Sequence, residues 1–292
     1  MKLKEYKCNN YCIVLFNTMN NNKLVDVAVI NLDRRPDRME YLYKHSPVAF
    51  RRFSAIDGQN LSSIYYKFPE LLDTIRGQHR VLGEVGCSLS HYSLWKEHAE
   101  KPITDYLLVF EDDVMFSDQT LERFEKTTND IHMNRIDFDV LYVGGQWTPH
   151  YDINGDTSPY FHYQKTVNQT LDIYYTKSLG DGIYKRRNLS PAVIQGDRNV
   201  WFTPLFRTAG AYLVSQRGAK RLLEAVETDT ALFMKTPLDM WLLEMDFRRY
   251  VHSFDRFPHP FYQAGFEMVR EPSHAQNDIH RSNFQTVSLP SA

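Results

Sequence analysis

Residues 106–114 read YLLVFEDDV. The apolar run 106–110 is too short for a buried helix and suits a central strand covered on both faces. It ends abruptly in Glu111, Asp112 and Asp113. Three adjacent carboxylates repel one another, and at the end of a buried strand they cost stability unless a cation neutralises them. Strand alternation is expected to put Glu111 and Asp113 on one side and Asp112 on the other. Two hard oxygen ligands with open positions suit Mg2+ or Mn2+, completed by phosphate oxygens and water. The alternative is an acidic turn that caps the next element.

The flanking segments alternate strands with helices. Val25, Val27 and Val29 alternate and Ile30 and Leu32 continue the run, so 25–32 reads as a buried strand. Asp33 then reads as the cap of a helix with Pro36 in its first turn and Met39, Leu42 and Tyr43 on its apolar face. A strand over 50–56 ends in the turn pair Asp57-Gly58. Val85, Leu89, Tyr92 and Ala99 recur at helical spacing, which predicts a helix over 83–100. Downstream, 138–143 and 208–214 read as strands. Ser215 caps a helix over 216–226, and Thr236 caps another whose first residue is Pro237. The order predicts an α/β fold with a mostly parallel central sheet flanked by helices, binding ligands beyond the carboxyl ends of its strands. Residues 1–24 read as a leader or edge extension, and 283–292 as a tail. Residues 146–200 lack periodicity and are expected to form a loop-rich insertion over the site. Their basic run 185–187 is either a solvated turn or a phosphate contact.

Composition bounds the function. Of 292 residues, 42% are hydrophobic and 24% charged, which excludes a disordered or collagen-like chain. A net charge of −2 supplies no electrostatic footprint for nucleic acid. Aromatics at 14% fit core packing or a sugar-stacking groove. The glycine patterns of a dinucleotide fold or a P-loop are missing. Three cysteines, Cys8, Cys12 and Cys87, make neither a disulfide framework nor a redox pair. There is no apolar stretch of membrane-spanning length, no signal-peptide core and no retrieval signal, so a cytoplasmic location is expected.

Two further constellations carry chemistry. Asp239, three residues after Thr236, reads either as a capping-box acid or as a carboxylate pre-oriented for general-base work. Capping would lower its pKa and weaken it as a base. Glu84, Ser88, His91 and Trp95 form a stripe along one edge of the 83–100 helix. His91 alone also fits a satisfied structural histidine. Ser88 lacks the G-x-S-x-G context of a nucleophile.

Several segments together resemble glycosyltransferase family 25, the lipopolysaccharide- and collagen-type glycosyltransferases. They are VAVINLDRRPDR (27–38), FSAIDG (53–58), LGEVGCSLSHYSLW (82–95), YLLVFEDDV (106–114), TAGAYLVSQRGAKRLL (208–223) and PLDMWL (237–242). NDIHRS (277–282) is a weaker echo. The segments follow the family's order over 25–282, and 146–200 carries no part of the match.

The resemblance implies a single GT-A-like domain over 25–282, with a nucleotide-binding half (25–145) and an acceptor and catalytic half (201–282). It implies inverting transfer of galactose or glucose from a UDP-sugar. The acceptor would be a hydroxyl of a glycan, a lipid-linked sugar or hydroxylysine. Glu111 and Asp113 would hold Mn2+ or Mg2+ against the diphosphate, and Asp112 would reach the ribose. Asn31, Arg34, Arg38 and Asp57 fall where such a sheet binds uridine, although Arg34 also fits a plain surface arginine. Asp239 is the expected base, with Glu84 in reserve. Ser88, His91 and Trp95 would lie along the donor or acceptor, and His259, His274, Asp278 or His280 would supply a third metal ligand. Two other classes compete: a non-catalytic nucleotide-sugar or carbohydrate-binding module on the same fold, and a nucleotidyltransferase built on the same acidic triplet.

Overall fold

The structure is a computed structural model. It describes residues 4–8, 11–17, 22–69, 82–100, 104–116, 118–133, 136–146, 183–185, 209–248, 250–256 and 260–263. Two strands, β1 (Lys4–Cys8) and β2 (Tyr11–Asn17), lead into β3 (Asn22–Asn31). Next come α1 (Pro36–His45), β4 (Arg51–Ser54), α2 (Leu61–Lys67) and the long α3 (Leu82–Glu100). β5 (Tyr106–Glu111) and the short β6 (Val114–Met115) flank the acidic triplet. Then follow α4 (Thr120–Met133), β7 (Val140–Tyr142), β8 (Gly144–Gln146) and β9 (Ile183–Lys185). The C-terminal part supplies β10 (Ala211–Ser215), α5 (Gln216–Thr228), α6 (Thr230–Lys235), α7 (Leu238–Phe247), β11 (Ser253–Arg256) and β12 (Phe261–Gln263).

The main sheet has the order β1-β2-β3-β5-β10-β7-β11-β9, with β4 also beside β3. β3 is its pivot. Its first half pairs antiparallel with β2, its last four residues pair parallel with β4, and its other edge pairs parallel with β5. β1, β3, β4, β5, β7 and β11 run one way, against β2, β9 and β10. The α/β expectation, a mostly parallel sheet flanked by helices, therefore holds and is consistent with one GT-A-like domain. A small second sheet, β6-β12-β8, lies beyond the acidic triplet.

Helices cover both faces, which is why YLLVF is continuously apolar. Leu107 and Val109 face one core with Ile30, Tyr212, Leu89, Trp95, Leu222 and Trp241. Leu108 and Phe110 face the other with Val27, Val29, Met39, Leu42, Phe124 and Phe261. Alternation thus sends neighbouring residues of one strand into two separate cores.

Local readings differ in three places. Asp33 does not cap α1. The N-cap is Arg35, with no side-chain cap bond, and the Asp33 carboxylate instead accepts from Arg52 and from Ser54 Oγ at 2.9 Å. Thr236 does not cap α7. α6, a helix the sequence reading did not separate, ends at Lys235, so Thr236 closes it and α7 begins at Leu238. The strand expected over 138–143 is two, β7 and β8, in different sheets. Ser215, in contrast, caps α5 by accepting the Gly218 N–H at 3.0 Å. Residues 1–24 contribute β1, β2 and the start of β3 to one edge of the sheet. Nearly all of 146–200, the tail and the candidate ligands His259, His274, Asp278 and His280 lie outside the described residues.

Candidate active site

The site is assembled where β3, β4 and β5 end, and α3 is docked over those ends. The docking needs two glycines. A Cβ on Gly86 would lie 2.4 Å from the Ile56 carbonyl oxygen, and one on Gly58 would lie 1.7 Å from that of Leu82. Only glycine allows backbones this close. Ser90 completes the joint: its Oγ donates to Gly86 O at 2.7 Å and accepts the Ile56 N–H at 2.8 Å. The FSAIDG and GEVGCSLSH segments are thus two halves of one joint.

β5 ends at Glu111, and Asp112 and Asp113 form a turn before β6. All three carboxylate residues line one cleft. Within it Glu111 meets Cys87 and His91 on α3, whereas Asp112 pairs with Arg38 on α1, the opposite placement that strand alternation leads one to expect. The cleft encloses about 690 Å³, counting its open mouth. Ile30, Leu32, Ala55 and Ile56 supply apolar wall, and Arg34, Arg38, Asp57 and His91 supply polar groups. Arg34 and Asp57 form an ion pair at the rim.

Asp112 is held on two sides. Arg38, itself buried, pairs with Oδ1, and Asn31 Nδ2 donates to Oδ2 at 2.7 Å. Asn31 also donates to Arg35 O at 2.9 Å and accepts from Arg52 Nε at 2.9 Å. It is 1% exposed and is not part of the cleft wall. Asn31 therefore holds the Asp112 carboxylate in place. Burial outweighs the Arg38 and Asn31 hydrogen bonds and leaves the Asp112 carboxyl above its ordinary pKa. Glu111 goes the other way. Burial would raise it, but His91, Cys87 and Arg38 together hold it lower.

His91 is fully buried and belongs to a relay the sequence does not reveal. Trp95 Nε1 donates to Tyr212 Oη at 2.9 Å, and Tyr212 Oη meets His91 Nδ1 at 2.7 Å. His91 Nε2 faces Glu111 Oε1 at 3.4 Å. Trp95 can only donate, so every group is satisfied when Tyr212 donates to Nδ1 and Nε2–H points at Glu111. Trp95 has no exposed surface and stacks on Trp241, with ring centroids 6.0 Å apart. Its expected stacking on a sugar is therefore corrected: the ring is core. Ser88 is likewise wholly buried and absent from the cleft wall, so it makes no direct donor contact in this arrangement.

Asp239 and Glu84 also lie outside the cleft wall. Asp239 is exposed at the start of α7 and accepts the Met240 N–H at 2.8 Å. It sits within electrostatic reach of both Glu111 and Glu84. Crowding protein around the carboxyl, then those two charges, pushes its pKa up. The backbone hydrogen bonds to Asp239 do lower its pKa, but burial outweighs them; Asp239 stands at the second helical position, not the third.

Sequence reasoning missed Cys87 and Tyr212. Cys87 stands in a quoted segment and in the cleft wall, four residues before His91 on α3, and that spacing was the available signal. Tyr212 had none, because only the β5–β10 pairing brings it opposite Val109.

Residues 25–242 match the family described as Glycosyltransferase family 25 (LPS biosynthesis protein). The chain is 27% identical over 285 residues to mouse (Mus musculus) "Inactive glycosyltransferase 25 family member 3", covering 91% of this chain and 40% of that protein. It is 26% identical over 250 residues to Xenopus laevis "Procollagen galactosyltransferase 1-A", covering 82% of this chain and 33% of that one. Human (Homo sapiens) "Procollagen galactosyltransferase 2" is 30% identical over 128 residues, 41% of this chain and 20% of that protein. The chain spans well under half the length of these curated relatives.

Proposed function

The chain belongs to glycosyltransferase family 25, and from that premise we propose that it transfers a hexose, galactose or glucose, from a UDP-sugar to an acceptor hydroxyl with inversion. The observation that carries this reading is the cleft at the strand ends, where Glu111, Asp112 and Asp113 meet Arg34 and Arg38. Cationic and carboxylate groups side by side suit a nucleoside diphosphate bound with a divalent ion.

The donor set fits such an ion, since Glu111 and Asp113 offer hard carboxylate oxygens to one open cleft. Bound there, Mn2+ or Mg2+ would supply charge stabilisation to the departing diphosphate. The chain's own residues do the rest. Arg38 and Asn31 keep Asp112 extended toward the cleft, where it would accept a ribose hydroxyl. Arg34 and Asp57 would border the uridine. Inversion requires one base on the acceptor side. The raised pKa of Asp239 makes its carboxylate a stronger proton acceptor than an ordinary aspartate. Glu84, beside it, is the reserve base. A glycan, lipid-linked sugar or hydroxylysine hydroxyl would serve as acceptor.

A second reading has a specific observation behind it: several curated relatives are named as inactive. On that reading the cleft binds a nucleotide-sugar without turning it over. The two separate in one assay, release of UDP from UDP-galactose and UDP-glucose with Mn2+ or EDTA across hydroxyl acceptors. Mn2+-dependent, acceptor-dependent release that disappears in Asp113→Ala supports the transferase. UDP binding without release across the acceptors supports the binding module.

A further inference from the structure

We propose that Cys87, His91 and Glu111 form a second metal site in the cleft wall, one that takes a zinc-class cation. Sγ of Cys87, a ring nitrogen of His91 and a carboxylate oxygen of Glu111 all lie within 4.8 Å of one another. Cys87 Sγ is 3.5 Å and His91 Nε2 is 3.4 Å from the same oxygen, Glu111 Oε1. Around a tetrahedral zinc ion, ordinary bond lengths separate N from O by about 3.4 Å and S from O by about 3.6 Å. The two observed separations are therefore already those of ligands on one ion.

The donor chemistry points the same way. A thiolate and an imidazole are softer than the all-oxygen set preferred by Mg2+ or Mn2+ and suit Zn2+. Cys87 and His91 stand four residues apart on α3, which puts both on one face of a helix. Ligating histidines usually have their second nitrogen fixed by an outer partner. Here Tyr212 Oη, 2.7 Å from Nδ1, supplies it. On binding, the Cys87 thiol loses its proton to solvent. To free Nε2 for the metal, the His91 proton moves to Nδ1 and is donated to Tyr212 Oη, whose own hydroxyl hydrogen rotates away from the ring. That oxygen has two lone pairs, and the other takes the Trp95 N–H. All three residues also line the cleft, so the fourth position opens toward solvent, as in sites that exchange a ligand.

The site does not depend on the transferase reading. Only one consequence rests on it: because Glu111 is shared, Zn2+ is expected to inhibit Mn2+-dependent transfer. The test is therefore spectroscopic, on the full metal-free chain titrated with Co2+ as a stand-in for zinc. The expected result is a near-ultraviolet thiolate-to-cobalt charge-transfer band with tetrahedral visible bands, both abolished by equimolar Zn2+. Cys87→Ser removes the charge-transfer band and weakens Co2+ binding by more than about 100-fold, beyond the loss of an outer partner. Glu111→Gln, which keeps the shape but not the charge, weakens binding with the fold intact by circular dichroism. Asp113→Ala keeps the full spectrum even where sugar transfer is lost. Absence of the charge-transfer band, its survival in Cys87→Ser, or its loss in Asp113→Ala each overturns the site.

Discussion

Asp239 combines a backbone hydrogen bond from Met240 with a carboxyl pKa pushed up by the crowding protein and by Glu111 and Glu84. On the proposed reaction, Asp239→Asn is expected to lower kcat by about 10²–10⁴-fold. Affinity for UDP should stay unchanged, because the residue lies outside the cleft wall. Steady-state kinetics beside a UDP titration separate the two effects. Gly86 poses a different residue-scale question. An added Cβ would meet backbone at 2.4 and 2.7 Å, which no side-chain rotation relieves. Gly86→Ala is therefore expected to cost about 1–3 kcal/mol, the range for overpacking, read as a lower urea midpoint.

At the scale of elements, α3 is tied to the sheet through Tyr212 on β10 and carries a second buried histidine near its far end. Tyr212→Phe would strip a partner from both His91 Nδ1 and Trp95 Nε1. Each orphaned group costs roughly 1–3 kcal/mol, which denaturant unfolding would register. His98 is 5% exposed, and its Nε2 has no hydrogen-bond partner among the described residues. Burial, then the charge of Arg51, push its pKa down from 6.5 to about 4. Between those values the unfolded chain binds a proton that the folded chain refuses. The stability conferred by neutral His98 is thus complete above pH 6.5 and lost as pH falls toward 4. The full loss is about 3 kcal/mol, of which about 2 kcal/mol has gone by pH 5. His98→Gln should remove that part of the difference between urea curves at pH 7 and pH 5.

For the whole molecule, nucleotide selectivity is the informative property. A ligand at about 100 times its Kd adds about 2.7 kcal/mol to stability. UDP with Mn2+ is therefore expected to raise Tm by a few degrees. UDP with EDTA, or GDP or CMP with Mn2+, should give a smaller rise. A rise with GDP or CMP alone would reassign the donor class, and no rise with any of the three would count against nucleotide binding. Among the described residues no helix is long and apolar enough to cross a membrane.

The sequence by itself determined the strands at 25–32 and 106–110, α3, the Ser215 cap and the position of the acidic triplet. Each follows from short-range causes: side-chain alternation, helical spacing, or a hydroxyl within reach of an N–H three residues on. Seven of the candidate residues, Arg34, Arg38, Asp57, His91, Glu111, Asp112 and Asp113, line one cleft, so much of the site was legible. Where two local signals competed, the chain's distant parts decided. Asp33 turned to Arg52 and Ser54 on β4, and Thr236 closed a helix whose boundary no spacing marked. Only the tertiary structure decided that Trp95 is core, that Asn31 serves Asp112, and that Cys87, His91 and Glu111 converge. Those facts depend on β3, β5 and β10 lying side by side and on two glycines letting α3 reach the strand ends. Such contacts join residues up to 121 positions apart, between His91 and Tyr212, a distance over which periodicity in the sequence carries no information.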